Sequence, residues 1–268
     1  MKLAFSTLGS PMWSWDKILD EAEKNGYSGI EIRGIKEEMY LPKAIPLRKE
    51  NHTKILEDLS KRHLIITDLG SGVSFHEIKR YDLSIQEGKD YIDLASELKV
   101  PYIRIFGDKI PDMTKKEETI ELIAKGINEL CDYAKDKNVE CLLETHGDIV
   151  ALENIEPIID RIKFSNFGII WDVGHTYKIY GNDVTEFLDK MWKYIKHVHF
   201  KDLKMIDNEL ELCMTGDGII PLPQLIKELK LRRYKGYISL EWEKRWHDDL
   251  EDPEIAIPSF AEYMRKYI

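Results

Sequence analysis

The amino-acid sequence predicts a single (β/α)₈ barrel that occupies residues 1–268. Three observations lead to this prediction. The chain has 268 residues, the size at which such a barrel closes as one domain. Short apolar segments alternate with longer amphipathic segments throughout, and no linker or low-complexity segment divides them. Eight apolar segments, each followed by a helical pattern, are most economically arranged as a closed parallel sheet surrounded by helices.

The predicted strands are rich in Ile, Val, Leu, Tyr or Phe and are bounded by Gly, Pro or charged residues. They lie at 2–9, 29–35, 64–70, 102–108, 140–147, 167–174, 195–202 and 236–242. Helical patterns lie at 16–25, 49–62, 83–98, 116–137, 183–192, 222–231 and 253–267. A further helix at 151–163 is expected to be short or bent because it contains Pro157;. The alternative, a doubly wound open sheet, usually carries a Gly-rich phosphate turn after an early strand, and none is present.

One segment, 203–221, is longer than an ordinary loop between a strand and a helix. It contains Gly216-Asp217-Gly218, residue types that are common in turns;. The segment is therefore expected to fold as a small hairpin over the mouth of the barrel.

Composition and charge narrow the class of protein. The sequence has 39 Lys and Arg against 49 Asp and Glu, a formal net charge of −10. This charge repels a phosphate backbone and an anionic membrane, so neither is an expected partner. Three widely spaced cysteines without a CxxC pair indicate reduced thiols;. No apolar segment approaches the ~20 residues that span a bilayer. The first residues have a strand pattern where a signal peptide would lie. We therefore expect a cytoplasmic protein.

Four predicted strands end in charged or polar groups that a purely structural strand would avoid. In such barrels the reactive groups lie at the C-terminal ends of the strands. These groups are Glu144 after Cys-Leu-Leu, Asp172 after Gly-Ile-Ile-Trp, His199 after His-Val, and Glu241 after Ile-Ser-Leu. Glu144 and Asp172 are 28 residues apart, and Asp172 and His199 are 27 apart. Each interval is about one β/α unit, so the side chains are expected at similar heights on neighbouring strands. The interval to Glu241 is 42 residues, and the excess corresponds to the long segment 203–221.

Three carboxylates that converge on one site repel one another unless a cation neutralises them. A strand-end Glu taken alone is usually solvated or ion-paired, and a lone His is usually part of a core. Four such residues on consecutive strands instead favour one bound divalent metal ion. One nitrogen and three oxygen donors suit Mn²⁺, Co²⁺, Mg²⁺ or Zn²⁺, and the sequence does not select among them.

The segments LLETHGD, WDVGH, HVHFKD and SLEWE resemble the motifs of the xylose isomerase-like (β/α)₈ barrel superfamily. That superfamily includes sugar isomerases and epimerases, inosose dehydratases and endonuclease IV. The resemblance covers the whole chain and implies that Glu144, Asp172, His199 and Glu241 hold the metal, the same four residues. It also implies that the two glutamates exchange protons with substrate and that His175 lies near the substrate.

Other polar residues near the strand ends have two explanations each. His146 follows the first predicted ligand by two residues, so it points the same way and either contacts substrate or holds a ligand in place. Lys201 and Asp202 either contact an anionic or hydroxylated substrate or form an ion pair with each other or with Arg104. Arg104, in Tyr-Ile-Arg-Ile-Phe, needs a partner, which is either a carboxylate or the substrate. Glu31 is ambiguous in the same way.

The favoured function is a metal-dependent isomerase or epimerase of a sugar or sugar phosphate. A metal that bridges two oxygens of an α-hydroxy carbonyl acidifies the adjacent C–H, and a carboxylate on each face can remove and return a proton. Glu144 and Glu241 are therefore the predicted catalytic residues. The main alternative is a lyase that uses the same acidification to dehydrate a keto-inositol or a dehydroshikimate-like substrate.

Two further functions are less favoured. An endonuclease IV-like enzyme would need additional His ligands, whereas the third and fourth strands end in Asp68-Leu-Gly70 and Phe106-Gly-Asp108. A barrel that only binds a ligand is disfavoured because all four predicted metal ligands are retained. The expected partner is a small carbohydrate or polyol, and the resemblance also allows a homo-oligomer.

Overall fold

Eight parallel strands close into a barrel in the order β1-β10-β7-β6-β5-β4-β3-β2 in the computed structural model, which describes residues 1–268. The predicted (β/α)₈ barrel is confirmed, and the open-sheet alternative is excluded because β1 pairs with both β2 and β10. The barrel strands are β1 Lys2–Ser6, β2 Gly29–Ile32, β3 Ile65–Leu69, β4 Tyr102–Phe106, β5 Glu140–Glu144, β6 Phe167–Asp172, β7 Ile195–Phe200 and β10 Tyr237–Leu240.

The helices surround this barrel and bury their apolar faces against it. They are α1 Trp15–Lys24, α2 His52–Lys61, α3 Tyr81–Leu98, α4 Lys116–Ala134, α5 Leu152–Ile159, α6 Val173–Tyr180, α7 Thr185–Met191, α8 Leu222–Leu231 and α9 Pro253–Met264. The helix that contains Pro157, α5, has only 8 residues, which confirms that it is short. No helix combines the length and the apolar character that crossing a membrane requires.

Close packing of the helix layer depends on two glycines. A Cβ atom at Gly88 of α3 would lie 2.4 Å from Leu130 Cδ1 of α4. A Cβ atom at Gly126 of α4 would lie 2.4 Å from the ring of Phe75, which is fully buried. Both distances are far below van der Waals contact, so only glycine lets these elements approach so closely.

The predicted hairpin is present, but its turn is not where the sequence suggested. Strands β8 (Asp202–Ile206) and β9 (Glu209–Cys213) pair antiparallel and are joined by Asp207 and Asn208. Both residues have positive φ values, 48° and 67°, as a two-residue type I′ turn requires;. The expected turn residues Gly216 and Gly218 instead lie after the hairpin.

Asp202 fixes the segment that follows the hairpin. Its Oδ2 accepts hydrogen bonds from the N–H groups of Gly216 at 2.9 Å and Gly218 at 3.1 Å, and its Oδ1 accepts one from Ile220 at 3.2 Å. These bonds satisfy the buried carboxylate, so Asp202 stabilises the loop and does not face the predicted site.

Candidate metal centre and active site

The structure brings the four predicted metal ligands together. Glu144 and Asp172 end β5 and β6, His199 lies in β7, and Glu241 follows β10. The barrel register aligns Asp172 with His199 and His199 with Ser239, which places the side chains at similar heights. One donor atom of each residue lies within 4.8 Å of those of the other three, and all four residues are buried.

Asp172 is held by the start of the following helix. Its backbone N–H donates to Thr145 Oγ1 at 2.8 Å, and its Oδ1 accepts the N–H of His175 at 2.8 Å as the N-cap of α6. The cap occupies one carboxylate oxygen and leaves Oδ2 directed at the cluster. Burial raises the pKa of Asp172 to about 7, with the neighbouring glutamates adding to the effect and Lys201 opposing it.

The two ring nitrogens of His199 face different carboxylates. Its Nε2 lies 2.8 Å from Glu31 Oε2. Its Nδ1 lies 3.0 Å from Glu144 Oε1, 3.5 Å from Glu241 Oε1 and 3.9 Å from Asp172 Oδ2. When Nε2–H donates to Glu31, the lone pair of Nδ1 faces the three predicted carboxylate ligands, the arrangement that metal-binding histidines usually have.

Glu31 is the site residue whose role the sequence left undecided. The residue is fully buried, and its Oε2 also accepts a hydrogen bond from His197 Nε2 at 3.1 Å. It is therefore the carboxylate that orients His199. The signal was a lone charged residue inside the apolar strand β2, but the sequence alone does not show which partner it meets across the barrel.

Arg104 and Lys201 form buried ion pairs with the carboxylates. Arg104 Nη1 lies 3.2 Å from Glu144 Oε2 and 3.4 Å from Glu241 Oε1. Lys201 Nζ lies 3.0 Å from Asp172 Oδ2 and also contacts Glu241. Burial acts to raise the pKa of Glu144, but Arg104 and His199 together outweigh it and hold that pKa at about 2. Both cations are ion-paired, but the partners of Lys201 are Asp172 and Glu241 and not Asp202.

The donor atoms of the cluster fit a divalent cation. Glu144 Oε2 and Asp172 Oδ2 are buried and accept no hydrogen bond, because the nearby cations are not aligned for one. A buried carboxylate oxygen that accepts no hydrogen bond is costly even beside a cation, and coordination to a metal would satisfy both atoms. The set of one imidazole nitrogen and three carboxylates is one that Mn²⁺, Co²⁺, Mg²⁺ and Zn²⁺ accept.

Two histidines pack against each other beside the cluster. The ring centroids of His146 and His175 are 4.1 Å apart, and Phe106 packs on His146 at 5.1 Å. His146 Nδ1 lies 3.0 Å from Asp108 Oδ1, a carboxylate that the sequence analysis did not single out as a functional group. Burial lowers the pKa of His175 to about 2, and the charge of Lys201 contributes in the same direction. His175 is therefore a neutral imidazole that can form hydrogen bonds with a bound molecule.

A cavity of about 560 Å³ joins these groups. Its wall includes six of the predicted site residues: Arg104, Glu144, His146, His175, Lys201 and Glu241. The other two, Asp172 and His199, are fully buried. Residues 209–212 of the hairpin line the same cavity, which agrees with the prediction that this segment lies over the mouth. The volume suits a small organic molecule.

This chain belongs to the xylose isomerase-like TIM barrel family, whose sequence profile matches residues 19–267. Inosose dehydratase from Clostridium perfringens is 30% identical over 171 residues, which cover 57% of this chain and 54% of the relative. The chain thus spans about half the length of this curated relative.

Solved structures share the fold over almost the full length. The probable 3-DHS dehydratase AsbF from Bacillus anthracis superimposes with a TM-score of 0.80 at 20% identity, covering 99% of both chains. The IolI protein with a bound zinc atom superimposes with a TM-score of 0.81 at 20% identity, covering 100% of this chain and 99% of the other. A D-tagatose 3-epimerase-like protein is among the other structures of this fold.

These comparisons correct the predicted enzyme class. The sequence motifs favoured an isomerase or epimerase over a lyase, and that prediction is wrong. The curated relatives are named inosose dehydratase, and dehydratases are lyases. The two classes share their first step, removal of a proton next to a carbonyl, so the four predicted ligands could not separate them.

Proposed function

We propose that this protein is a divalent-metal-dependent dehydratase, a lyase that removes water from a cyclic hydroxyketone. The observation that carries the proposal is that two kinds of proton-transfer group line one cavity. Glu144 and Glu241 belong to the carboxylate cluster, and His146 lies beside them with Asp108 as its partner. Dehydration requires a base for the C–H and an acid for the departing hydroxyl, and two different groups serve this purpose well.

The metal would be held by Glu144, Asp172, Nδ1 of His199 and Glu241. When bound, it would polarise the oxygens of the substrate and make the C–H next to the carbonyl more acidic. Arg104 and Lys201 keep the glutamates ionised. Both cations therefore favour the carboxylate form that binds a metal and accepts a proton.

The protein side chains would carry the proton transfers. Glu241 takes the proton from the carbon next to the carbonyl, and the electron pair of that C–H bond forms the new C=C bond. The C–O bond to the neighbouring hydroxyl breaks, and the hydroxide leaves with a proton from His146 as one molecule of water. Asp108 contacts Nδ1 of His146 and orients the imidazole for this transfer, as a carboxylate partner does for other catalytic imidazoles;. Transfer of the proton from Glu241 to His146 through solvent restores the starting state.

Product mass tests the proposal. Chelator-treated protein would be incubated with inosose and with 3-dehydroshikimate, with and without added Mn²⁺, Co²⁺, Mg²⁺ or Zn²⁺. We expect a product lighter than the substrate by one water, formed only after metal is restored. His199→Ala should lose this activity and keep the fold, whereas His63→Ala, on the exposed turn before β3, should keep both. A product of unchanged mass, or no turnover of either substrate, would contradict the proposal.

A further inference from the structure

Two cations in the cavity wall form no salt bridge, and one of them, Arg33, is partly buried. Four cationic side chains line the cavity: Arg33, Arg104, Lys178 and Lys201. Arg104 and Lys201 are paired with carboxylates. Arg33 forms no salt bridge, and only its backbone takes part in hydrogen bonds. Lys178 is also unpaired, but it is exposed on α6.

The polypeptide around Arg33 is rigid. Thr7 Oγ1 accepts the N–H of Arg33 at 3.0 Å and donates to the carbonyl of Gly34 at 2.6 Å. The side chain packs against Gly70, where an added Cβ would lie 2.8 Å from Arg33 Cδ. A fixed backbone and a matching slot reduce the entropy lost when the guanidinium forms hydrogen bonds with a ligand.

Arg33 lies across the cavity from the centre of the metal cluster. It follows β2, which is separated by four strand positions from β6, the strand that ends in Asp172. The other predicted ligands follow β5, β7 and β10. A ring whose oxygens contact the cluster would therefore extend its opposite end toward Arg33.

No carboxylate forms an ion pair with Arg33. Burial lowers the pKa of Arg33 to about 10, and the positive charge of Arg104 adds to this effect. Tyr91, Glu87 and Glu144 act in the opposite direction. Glu87 uses its Oε1 to accept the N–H of Gly72 at 2.9 Å and forms no ion pair with Arg33. A bound anion would supply the missing negative charge.

We propose that Arg33 binds a carboxylate on the substrate, at the end of the molecule remote from the predicted metal ligands. A guanidinium presents two parallel N–H groups that match the two oxygens of a carboxylate. The inference rests on the proposed function, because it assumes that the substrate occupies this cavity. It narrows the substrate class to cyclic hydroxyketones that carry a carboxylate, such as 3-dehydroshikimate, and disfavours neutral keto-inositols.

Two matched ligands test the assignment without turnover. 3,4-Dihydroxybenzoate and catechol differ only in the carboxylate, and calorimetry would measure their binding to the metal-loaded protein. We expect the wild type to bind the acid at least about 10-fold more tightly than catechol. Arg33→Gln should reduce the affinity for the acid by roughly 10- to 100-fold and change the affinity for catechol by less than about 3-fold. Arg33→Lys keeps the charge but loses the paired N–H groups, so its effect on the acid should be intermediate.

Lys178→Gln is the matched control, because it removes the other unpaired cation of the cavity wall. It should leave the preference for the acid nearly unchanged. Equal binding of the two ligands to the wild type, an equal loss for both in Arg33→Gln, or loss of the preference in Lys178→Gln would overturn the inference. Unchanged thermal unfolding of each variant confirms that the fold is intact.

Turnover separates this inference from the proposed function. If inosose is dehydrated with a higher kcat/KM than 3-dehydroshikimate, the lyase proposal stands and the carboxylate inference fails. If neither compound is dehydrated but the acid still binds in an Arg33-dependent way, the anion site stands and the lyase proposal fails.

Discussion

Replacement of Glu31 by Gln should weaken metal binding although Glu31 is not one of the predicted ligands. Glu31 Oε2 accepts hydrogen bonds from His199 at 2.8 Å and from His197 at 3.1 Å. The carboxylate fixes which nitrogen of His199 carries the proton and makes the other nitrogen a stronger donor. A neutral amide keeps the size of the side chain but loses the charge that produces both effects.

The magnitude follows from the burial of this contact. Loss of a carboxylate partner of a metal-binding histidine typically reduces metal affinity by about 10- to 100-fold, which corresponds to about 1.4–2.7 kcal/mol. Both Glu31 and His199 have 0% exposure. Water cannot take the place of the lost carboxylate, so we expect an effect near the upper end of that range.

Competition between the protein and a chelator for Mn²⁺ or Zn²⁺ would measure the affinity. The matched control is Asp68→Asn, because Asp68 is buried in the neighbouring strand β3 and forms no hydrogen bond with His199. Burial and the charge of Glu31 raise the pKa of Asp68, which favours its neutral form, so the variant with the neutral amide should bind metal almost normally. A dissociation constant that is unchanged in Glu31→Gln, or changed more in Asp68→Asn, would refute the reasoning.

Three further changes test other parts of the account. Glu241→Gln should reduce turnover by about 10²-fold or more even at saturating metal, because the amide cannot accept a proton; full activity would show that Glu241 is only a ligand. Asp108→Asn should lower kcat by roughly 10²-fold with little change in KM, because His146 loses the carboxylate that orients its ring for proton transfer; an effect on KM alone would contradict this. Gly126→Ala should destabilise the fold by about 1–3 kcal/mol despite the higher helix propensity of Ala, because Phe75 cannot move away. Thermal unfolding of this variant and of the exposed control Lys125→Ala would test the prediction. A raised Tm in Gly126→Ala would contradict it.

The sequence predicted the barrel because each β/α unit repeats the same alternation of apolar and amphipathic segments. All eight strands are present, but several were predicted to be too long at their C-terminal ends. The predicted strand at 167–174, for example, stops at Asp172, which caps the following helix instead of extending the strand. At these positions the chain leaves the sheet to form the site. Residues typical of strands continue past the last hydrogen bond of the sheet, so the sequence pattern does not show where the strand ends.

The predicted metal ligands were found because each one interrupts an apolar strand at the same height. Their partners could not be predicted in the same way. Asp108 lies in a loop, with a positive φ of 62°, and meets His146 only through the fold. Arg33 is one of many charged residues near the strand ends, and its lack of a salt-bridge partner is visible only when all side chains are in place. The choice between isomerase and lyase depends on groups beyond the metal ligands, so the ligand motifs could not decide it.

The central claim is that Glu144, Asp172, His199 and Glu241 together hold the catalytic metal. Anomalous diffraction from crystals grown with Mn²⁺ tests it most directly. The account predicts one ion, at roughly 2.0–2.4 Å from a donor atom of each of the four residues, with Nδ1 as the donor of His199 and Nε2 still bonded to Glu31. An ion bound instead between Glu31, His197 and His199, or an ion that leaves any of the four carboxylate and imidazole groups uncoordinated, would contradict the account.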